Sequence, residues 1–352
     1  MKSKVLLLVV VLSAMVMPFS RVFGADTKAN LDAVKTYLLG KATDLSDAAK
    51  TLAESTDAYY DLAKAANFDY AKMWKDNPKE VAAALDGAKK GWIVASPIYE
   101  QMEGIVGGVP SLSRYDAIID ASPTGAEDPE NATDFTIDLP SGDKLDKPGS
   151  LFNLLESDLW GYFPEDIKVD KVDLDGDGTI GFGELLPDAN LAKGGADALA
   201  SYSADLLKAA GEWEPNESDA FTALVVMIPT MNDMFGSWKD SRFVEGDKAT
   251  GKAFSVISRL SDMNDIISSI QVIYTGVGPL IEAKSAAQHD QINQGLTDLK
   301  SFVDDLYKQE NDGKRFKPEE ADLFGTEAQD RAETITGQIT QAAALLDVTI
   351  QQ

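Results

Sequence analysis

The sequence predicts an all-α protein built as two antiparallel helical bundle halves. Long stretches of the 352-residue chain place apolar residues three and four positions apart, which marks one buried face of an α-helix. Pro- and Gly-containing turns divide these stretches into segments of helical length, and no stretch alternates convincingly in the manner of a strand. We divide the mature chain near residue 190, into a first half (25–190) and a second half (191–352).

The first half reads as helix almost throughout residues 28–103. The 3.6-residue period begins at Leu31 and continues to Asn67, and residues 79–91 form an Ala-rich helix. Because proline suits the first turn of a helix, Ser96-Pro97 is expected to start a new helix. A further helix is predicted over residues 151–160.

The second half repeats the helical pattern. We expect the segment at 219–235 to be bent or broken at Pro229. The predicted helices span residues 192–210, 219–235, 253–274, 279–309 and 327–348.

A long acidic excursion interrupts the first half at residues 122–150. Its composition is dominated by Pro, Gly, Asp and Ser, and a short hairpin is possible around Ser141-Gly142. A loop of this length within a helical chain suggests a functional or docking role.

Residues 173–184 read DLDGDGTIGFGE and fit a calcium-binding loop position by position. Gly178 stands where the loop turns sharply, and Thr179 offers a backbone carbonyl. The predicted calcium ligands are Asp173, Asp175, Asp177, Thr179 and Glu184. Residues 169–172 look extended rather than helical, which favours a structural calcium site over a switch. The alternative is an acidic surface turn that binds nothing.

The N-terminus has the pattern of a cleavable signal peptide. Lys2 and Lys4 precede an apolar run at residues 5–17, and small residues favour cleavage after Gly24. We therefore expect an exported protein, periplasmic in a bacterium, with residues 1–24 removed. No other segment is expected to span a bilayer, and the absence of cysteine excludes disulfides and thiolate metal sites.

The chain is strongly acidic, with a formal net charge of −26 that becomes −29 when Lys2, Lys4 and Arg21 leave with the signal peptide. This charge argues against nucleic acid and anionic membranes as partners and suits cations. Solubility alone explains the bulk charge equally well.

Three acidic motifs follow one another in the first half: YEQMEG at 99–104, RYDAIIDA at 114–121 and FNLLESDLW at 152–160. This ordered set resembles the first half of imelysin-like proteins, which include the EfeO-type periplasmic iron-uptake components. The resemblance is closer to the algal Fe-assimilating, high-CO2-inducible periplasmic proteins and their bacterial relatives. Those proteins share the segments EDPENA (127–132) and KPGSLF (147–152), and a calcium-like loop.

The resemblance implies a metal cleft in the first bundle and a membrane iron transporter as a possible partner. The iron ligands that it implies are Glu103, Asp116, Asp120, Glu156 and Tyr60. The family's H-x-x-E motif has Asn153 in place of its histidine here. The resulting loss of a His-Glu pair argues against a metallopeptidase and favours a protein that is not an enzyme.

The residues themselves point the same way. Glu103 and Glu156 each follow apolar neighbours on an apolar helical face, where acids are rare unless they are paired or bind metal. Oxygen-only donors suit hard ions, including ferric iron. The alternatives are a solvated acidic rim, or carboxylates neutralised by Arg114 and Arg259.

Two function classes therefore remain. The first is an exported protein that captures iron through carboxylates, with a structural calcium site. The second is a calcium-dependent protein that binds a polysaccharide or another protein through the acidic excursion. A Ser-His-Asp triad would have to use His289, and no nucleophile-elbow motif accompanies this single histidine.

Overall fold

The computed structural model describes residues 29–161, 170–251 and 253–351. Helices dominate these residues, which confirms the all-α prediction. The expected signal peptide lies outside the described residues.

Helix α1 is the spine of the first half. Leu38, Leu45, Leu52 and Tyr59 recur every seven residues along it and are fully buried. Helix α1 packs along its length on α3 and α6, while α5 lies against both α3 and α6. The helices of this half are α1 (Leu31–Ala65), α2 (Tyr70–Asp76), α3 (Pro78–Val106), α4 (Ser113–Asp116), α5 (Leu151–Trp160) and α6 (Ala189–Glu212).

The second half is a bundle in which α10 packs on α7 and α11, and α12 packs on α8 and α11. Its helices are α7 (Glu217–Met227), α8 (Met231–Lys239), α9 (Arg242–Glu245), α10 (Arg259–Lys284), α11 (Ala286–Asn311) and α12 (Pro318–Leu346). A 3-10 turn at Ile228–Thr230 separates α7 from α8, so the break predicted at Pro229 is confirmed.

Two other prolines do not break their helices, and there the predicted boundaries were wrong. Helix α3 runs unbroken through Pro97, and α10 through Pro279. A proline inside a helix leaves the carbonyl four residues earlier without its usual donor. In α3 this carbonyl belongs to Ile93, which is 43% exposed, so water can take the place of the missing donor.

The acidic excursion contains the hairpin that the sequence suggested. Strand β1 (Thr136–Asp138) pairs antiparallel with β2 (Lys144–Asp146), and Gly142 in the turn has a φ of 91°. A second short pair joins β3 (Asp170–Lys171) to β4 (Leu185–Leu186), on either side of the predicted calcium-binding loop at 173–184, which we call the acidic loop.

The two halves share one apolar core, and α3 meets α10 at the seam between them. Gly104 lets the two helices approach closely, and its N–H donates to Ser269 Oγ at 3.1 Å. The division proposed near residue 190 stays a prediction. Helix α6 begins at this boundary, at Ala189, and it is described with the first half because it packs on α1 and α5.

Among the described helices, α10 alone is long and apolar enough to cross a membrane by length and composition, although the sequence predicts no membrane span after the signal peptide. More than half of its most apolar window is buried against other helices. This burial is typical of the core helix of a helical bundle.

Candidate metal centre

Acidic side chains from three elements meet at the seam between the halves. Oxygen atoms of Glu100, Glu103 and Asp120 all lie within 4.8 Å of one another, and all three residues are buried. Helix α3, helix α4 with the turn that follows it, and helix α10 contribute to the site. We call this group the acidic cluster: Glu100, Glu103, Asp116, Asp120 and Asp262.

Local backbone geometry brings these side chains close together. Glu100 and Glu103 are three residues apart on α3, so they share a helix face. Asp116 is the last residue of α4, and Asp120 lies on the short π-helical turn at Ala117–Ala121 that follows it. The Ser122 N–H closes this turn by donating to Ala117 O at 2.9 Å. Single π turns of this kind occur frequently at functional sites.

Tyr99 links α3 to this turn. Its hydroxyl donates to Asp116 Oδ1 at 2.6 Å, and its ring is fully buried. Asp116 itself is half-buried, so the cluster reaches solvent on the Asp116 side.

Burial makes ionisation of the cluster costly. Loss of hydration, followed by the charge of neighbouring carboxylates, raises the pKa of Glu103 to about 8. Burial likewise raises the pKa of Asp116 and of Asp262 to about 7, and that of Glu100 well above its ordinary value. In the described structure, the Oε2 atoms of Glu100 and Glu103 have no hydrogen-bond partner. Such orphaned buried oxygens fit a site for a cation.

Among the described residues, Arg259 is the one basic side chain that forms ion pairs with the cluster. Its Nη1 lies 3.1 Å from Asp262 Oδ2 and 3.9 Å from Glu100 Oε1. One guanidinium cannot neutralise five carboxylates, so the remainder must hold protons or bind a cation.

Glu156 is buried nearby but is already engaged. Its two oxygens accept the backbone N–H groups of Phe254, Ser255 and Val256 at 2.8, 2.7 and 2.8 Å. Burial still raises the pKa of Glu156 to about 7. The ligand role predicted for Glu156 stays untested, and its contacts favour a different one.

The structure does not bring Tyr60 to the cluster. The ring of Tyr60 packs 5.7 Å from that of Phe68, in a separate apolar group around Tyr59 and Leu85. Because α1 and α3 are antiparallel, this part of α1 faces Glu80 and Ala84. Ala84 precedes Tyr99 by about 22 Å of helix at 1.5 Å per residue. Tyr99, Glu100 and Asp262 are the site residues that the predicted ligand set lacked.

The acidic loop at 173–184 forms a second, exposed cluster. Carboxylate oxygens of Asp173, Asp175 and Asp177 lie within 4.8 Å of one another. The Asp173 oxygens accept the N–H groups of Gly176 and Gly178 at 2.8 and 2.9 Å, and both glycines have positive φ. The backbone thereby curls around the three carboxylates.

Glu184 closes this loop. It accepts the N–H groups of Leu174 and Asp175 at 2.9 and 3.2 Å, and also that of Gly181. Thr179 sits beside Asp177 and donates its hydroxyl to Asp177 Oδ1 at 2.6 Å. The loop leads into β4 rather than into a helix.

Lys89 lies next to the loop, in a cleft of about 470 Å³ that several loop residues line. Its amine donates to Gly183 O and lies 5.6 Å from the Trp160 ring centroid. Burial lowers the pKa of Lys89 to about 8. Lys89 therefore ties the loop to α3, the helix that carries Glu100 and Glu103.

His289 is remote from both acidic groups. Its ring stacks on Tyr274, and its Nδ1 lies 2.9 Å from the Tyr274 hydroxyl. This local partner fits a structural role on α11.

The model of the imelysin family, which also carries a peptidase name, matches residues 33–347. The match spans both bundle halves and includes all the residues of the acidic cluster and of the acidic loop. A search of curated proteins finds no match to the chain.

Proposed function

The chain belongs to the imelysin family, and we propose that it is an exported protein that captures iron at the acidic cluster for uptake. The observation that carries this proposal is the set of five carboxyls at the seam, with two orphaned oxygens and one arginine. Such a set is costly to bury unless a cation compensates its charge.

The donor chemistry selects the class of ion. Carboxylates with a neighbouring phenol form an oxygen-only site, which suits hard cations such as ferric iron. Likeness to iron-uptake proteins is our reason for choosing iron among these cations. The half-buried Asp116 provides the side from which an ion would enter.

We propose binding without catalysis, although the family carries a peptidase name. Asn153 replaces the histidine of the H-x-x-E motif, and the glutamate of that motif, Glu156, is occupied by three backbone N–H groups. A zinc peptidase needs nitrogen ligands or a carboxylate free to activate water. Incubation with casein and added zinc should give no cleavage.

Titration calorimetry with ferrous and ferric ions, on mature calcium-loaded protein, tests the proposal. We expect about one iron per chain. Glu103→Gln should weaken binding by about tenfold or more, since it removes a ligand charge. Glu54→Gln, at an exposed position on α1, is the matched control and should bind as wild type. Heat no greater than the dilution blank for both ions would refute iron capture.

The acidic loop supports a separate structural calcium site with Asp173, Asp175, Asp177, the Thr179 carbonyl and Glu184 as ligands. Its three clustered aspartates and the turn at Gly178 support this assignment. Outside the cell, calcium is plentiful enough to fill even a site with a Kd of about 10⁻⁴–10⁻³ M.

A second candidate function is calcium-dependent binding of a polysaccharide or protein, with the acidic excursion at residues 122–150 as the docking surface. Asp134, Asp138 and Asp143 are exposed along this excursion. Glycan-array binding that is lost in Glu184→Ala would favour this function, whereas a flat array with full iron binding would favour iron capture.

Elemental analysis and cell fractionation test the expected location and partner. Protein recovered from the periplasm without chelator should carry calcium near one per chain, together with iron. Deletion of residues 1–24 should retain the protein in the cytoplasm. Crosslinking in intact cells should then join the exported form to a membrane iron transporter.

A further inference from the structure

The segment just before α10 is held in an unusual conformation. The backbone of Phe254 has a φ of 55°, a value that residues other than glycine and asparagine rarely adopt. The backbone N–H groups of Phe254, Ser255 and Val256 all donate to the carboxylate of Glu156. One buried side chain of α5 therefore fixes this whole turn.

This turn leads into α10, whose first residue is Arg259. The guanidinium carbon of Arg259 lies 3.6 Å from the centre of the Phe254 ring, a close cation–π contact. The Nη1 atom of the same guanidinium donates to Asp262 Oδ2 at 3.1 Å and lies 3.9 Å from Glu100 Oε1. The arginine thus contacts an aromatic ring and two carboxylates of the cluster.

We infer that Glu156 is a positioning residue, which holds the turn at 254–256 so that the Phe254 ring keeps Arg259 at one end of the acidic cluster. This inference rests on the proposed function, because it assigns a role at the same site. Arg259 is then a resident cation at the Asp262 end of the cluster, with Glu100 Oε1 3.9 Å away. The unpartnered Oε2 atoms of Glu100 and Glu103, together with Asp116 and Asp120, are left for one incoming ion.

Two single changes loosen the arginine without touching those ligands. Glu156→Gln replaces an acceptor oxygen by an amide NH2, which cannot accept an N–H, so at least one of the three bonds is lost. Phe254→Leu keeps Glu156 and all charges but removes the ring. Phe254→Tyr retains the ring and is the matched control. If Glu156→Gln fails to fold, Phe254→Leu still tests the inference.

The first readout needs no iron. The metal-free proteins are treated with phenylglyoxal, and modification of Arg259 is measured by peptide mass spectrometry. Arg259 is 7% exposed, so we expect slow labelling in wild type and Phe254→Tyr. Labelling should be at least about fivefold faster in Glu156→Gln and Phe254→Leu. Wild-type labelling of Arg259 in both variants would overturn the positioning role.

The second readout links the arginine to the site. Iron affinity is measured against pH for Phe254→Leu and Phe254→Tyr. Without Arg259 in place the carboxyls hold protons more tightly, so the profile of Phe254→Leu should move to higher pH. An unmoved profile with faster labelling would overturn the link to the cluster. If wild type binds no iron, the proposed function fails, while the labelling result still decides the positioning of Arg259.

Discussion

Tyr99 donates its hydroxyl hydrogen to Asp116 Oδ1 across 2.6 Å, and this bond ties the C-terminal part of α3 to the end of α4, just before the turn that carries Asp120. The two residues are seventeen positions apart in sequence, yet they fix the relative placement of four carboxyls. The bond also orients Asp116, the member of the cluster that reaches solvent.

We expect Tyr99→Phe to reduce iron affinity by about tenfold, or about 1.4 kcal/mol. The change leaves Asp116 without its donor and the turn less firmly held, while the ring keeps its packing. Calorimetric titration measures the affinity. Tyr37→Phe is the matched control, because Tyr37 donates a similar 2.6 Å bond to Gln101 O on α3. An equal loss of iron affinity in both variants would contradict a specific role for Tyr99.

The stability of the metal-free protein should fall as pH rises from about 5 to 8. Burial raises the pKa of Glu103 to about 8 and those of Asp116 and Asp262 to about 7. In an unfolded chain these groups ionise near pH 4. Between those limits the native state binds more protons than the unfolded state, and so loses stability as protons leave.

Urea unfolding in chelator at pH 5, 6.5 and 8 measures this slope. Glu103→Gln should flatten it, because the glutamine has no proton to lose. Saturating iron should flatten it as well, since the ion replaces the protons. Stability that increases steadily from pH 5 to pH 8 would show that the cluster is ionised without cost.

Helical periodicity predicted the fold class because burial repeats along every long helix. Leu38, Leu45 and Leu52 show this repeat directly in the sequence. The unbroken course of α3 through Pro97 could not be predicted in the same way. It depends on tertiary packing around the helix, which outweighs the local cost of the proline.

The acidic cluster could be predicted only in part. Glu103, Asp116 and Asp120 lie in motifs, and the structure brings them together. Asp262 comes from a helix far along the chain, and only the α3–α10 packing shows that it faces Glu100. The predicted ligand Tyr60 lies away from the cluster, and this could not be foreseen because the sequence does not give the offset between the antiparallel helices α1 and α3.

Gly104 sets the approach of α3 to α10, and Gly104→Ala should disturb both stability and iron binding. An added Cβ would lie 2.4 Å from Ser269 Oγ and 3.1 Å from Ile270 Cγ1. We expect a loss of about 1–3 kcal/mol in the free energy of unfolding. Displacement of Glu103, the residue before Gly104, should weaken iron binding as well.

Gly337→Ala on α12 is the control, because an added Cβ there meets nothing within 4 Å. This substitution should stabilise the protein by up to about 1 kcal/mol through helix propensity. Urea unfolding measures both variants. Equal stability changes at the two glycines would mean that α3 and α10 separate without cost.

The acidic loop should stabilise the fold mainly through calcium. Glu184→Ala removes the predicted bidentate ligand, and it also removes the acceptor for the N–H groups of Leu174 and Asp175. We therefore expect a small drop in Tm in chelator and a much larger drop in millimolar calcium. Asp134→Ala, at an exposed loop position in the first half, should change Tm equally little under both conditions.

The size of the calcium-dependent drop follows from linkage. A ligand at 100 times its Kd stabilises the folded state by about 2.7 kcal/mol. The loop leads directly into β4, Lys89 donates to Gly183 O, and the Trp160 ring of α5 would clash with a side chain at Gly183. Calcium bound in the loop would thus hold together α3 and α5, the helices that carry Glu103 and Glu156. An identical drop with and without calcium would show that the loop acts through its own hydrogen bonds alone.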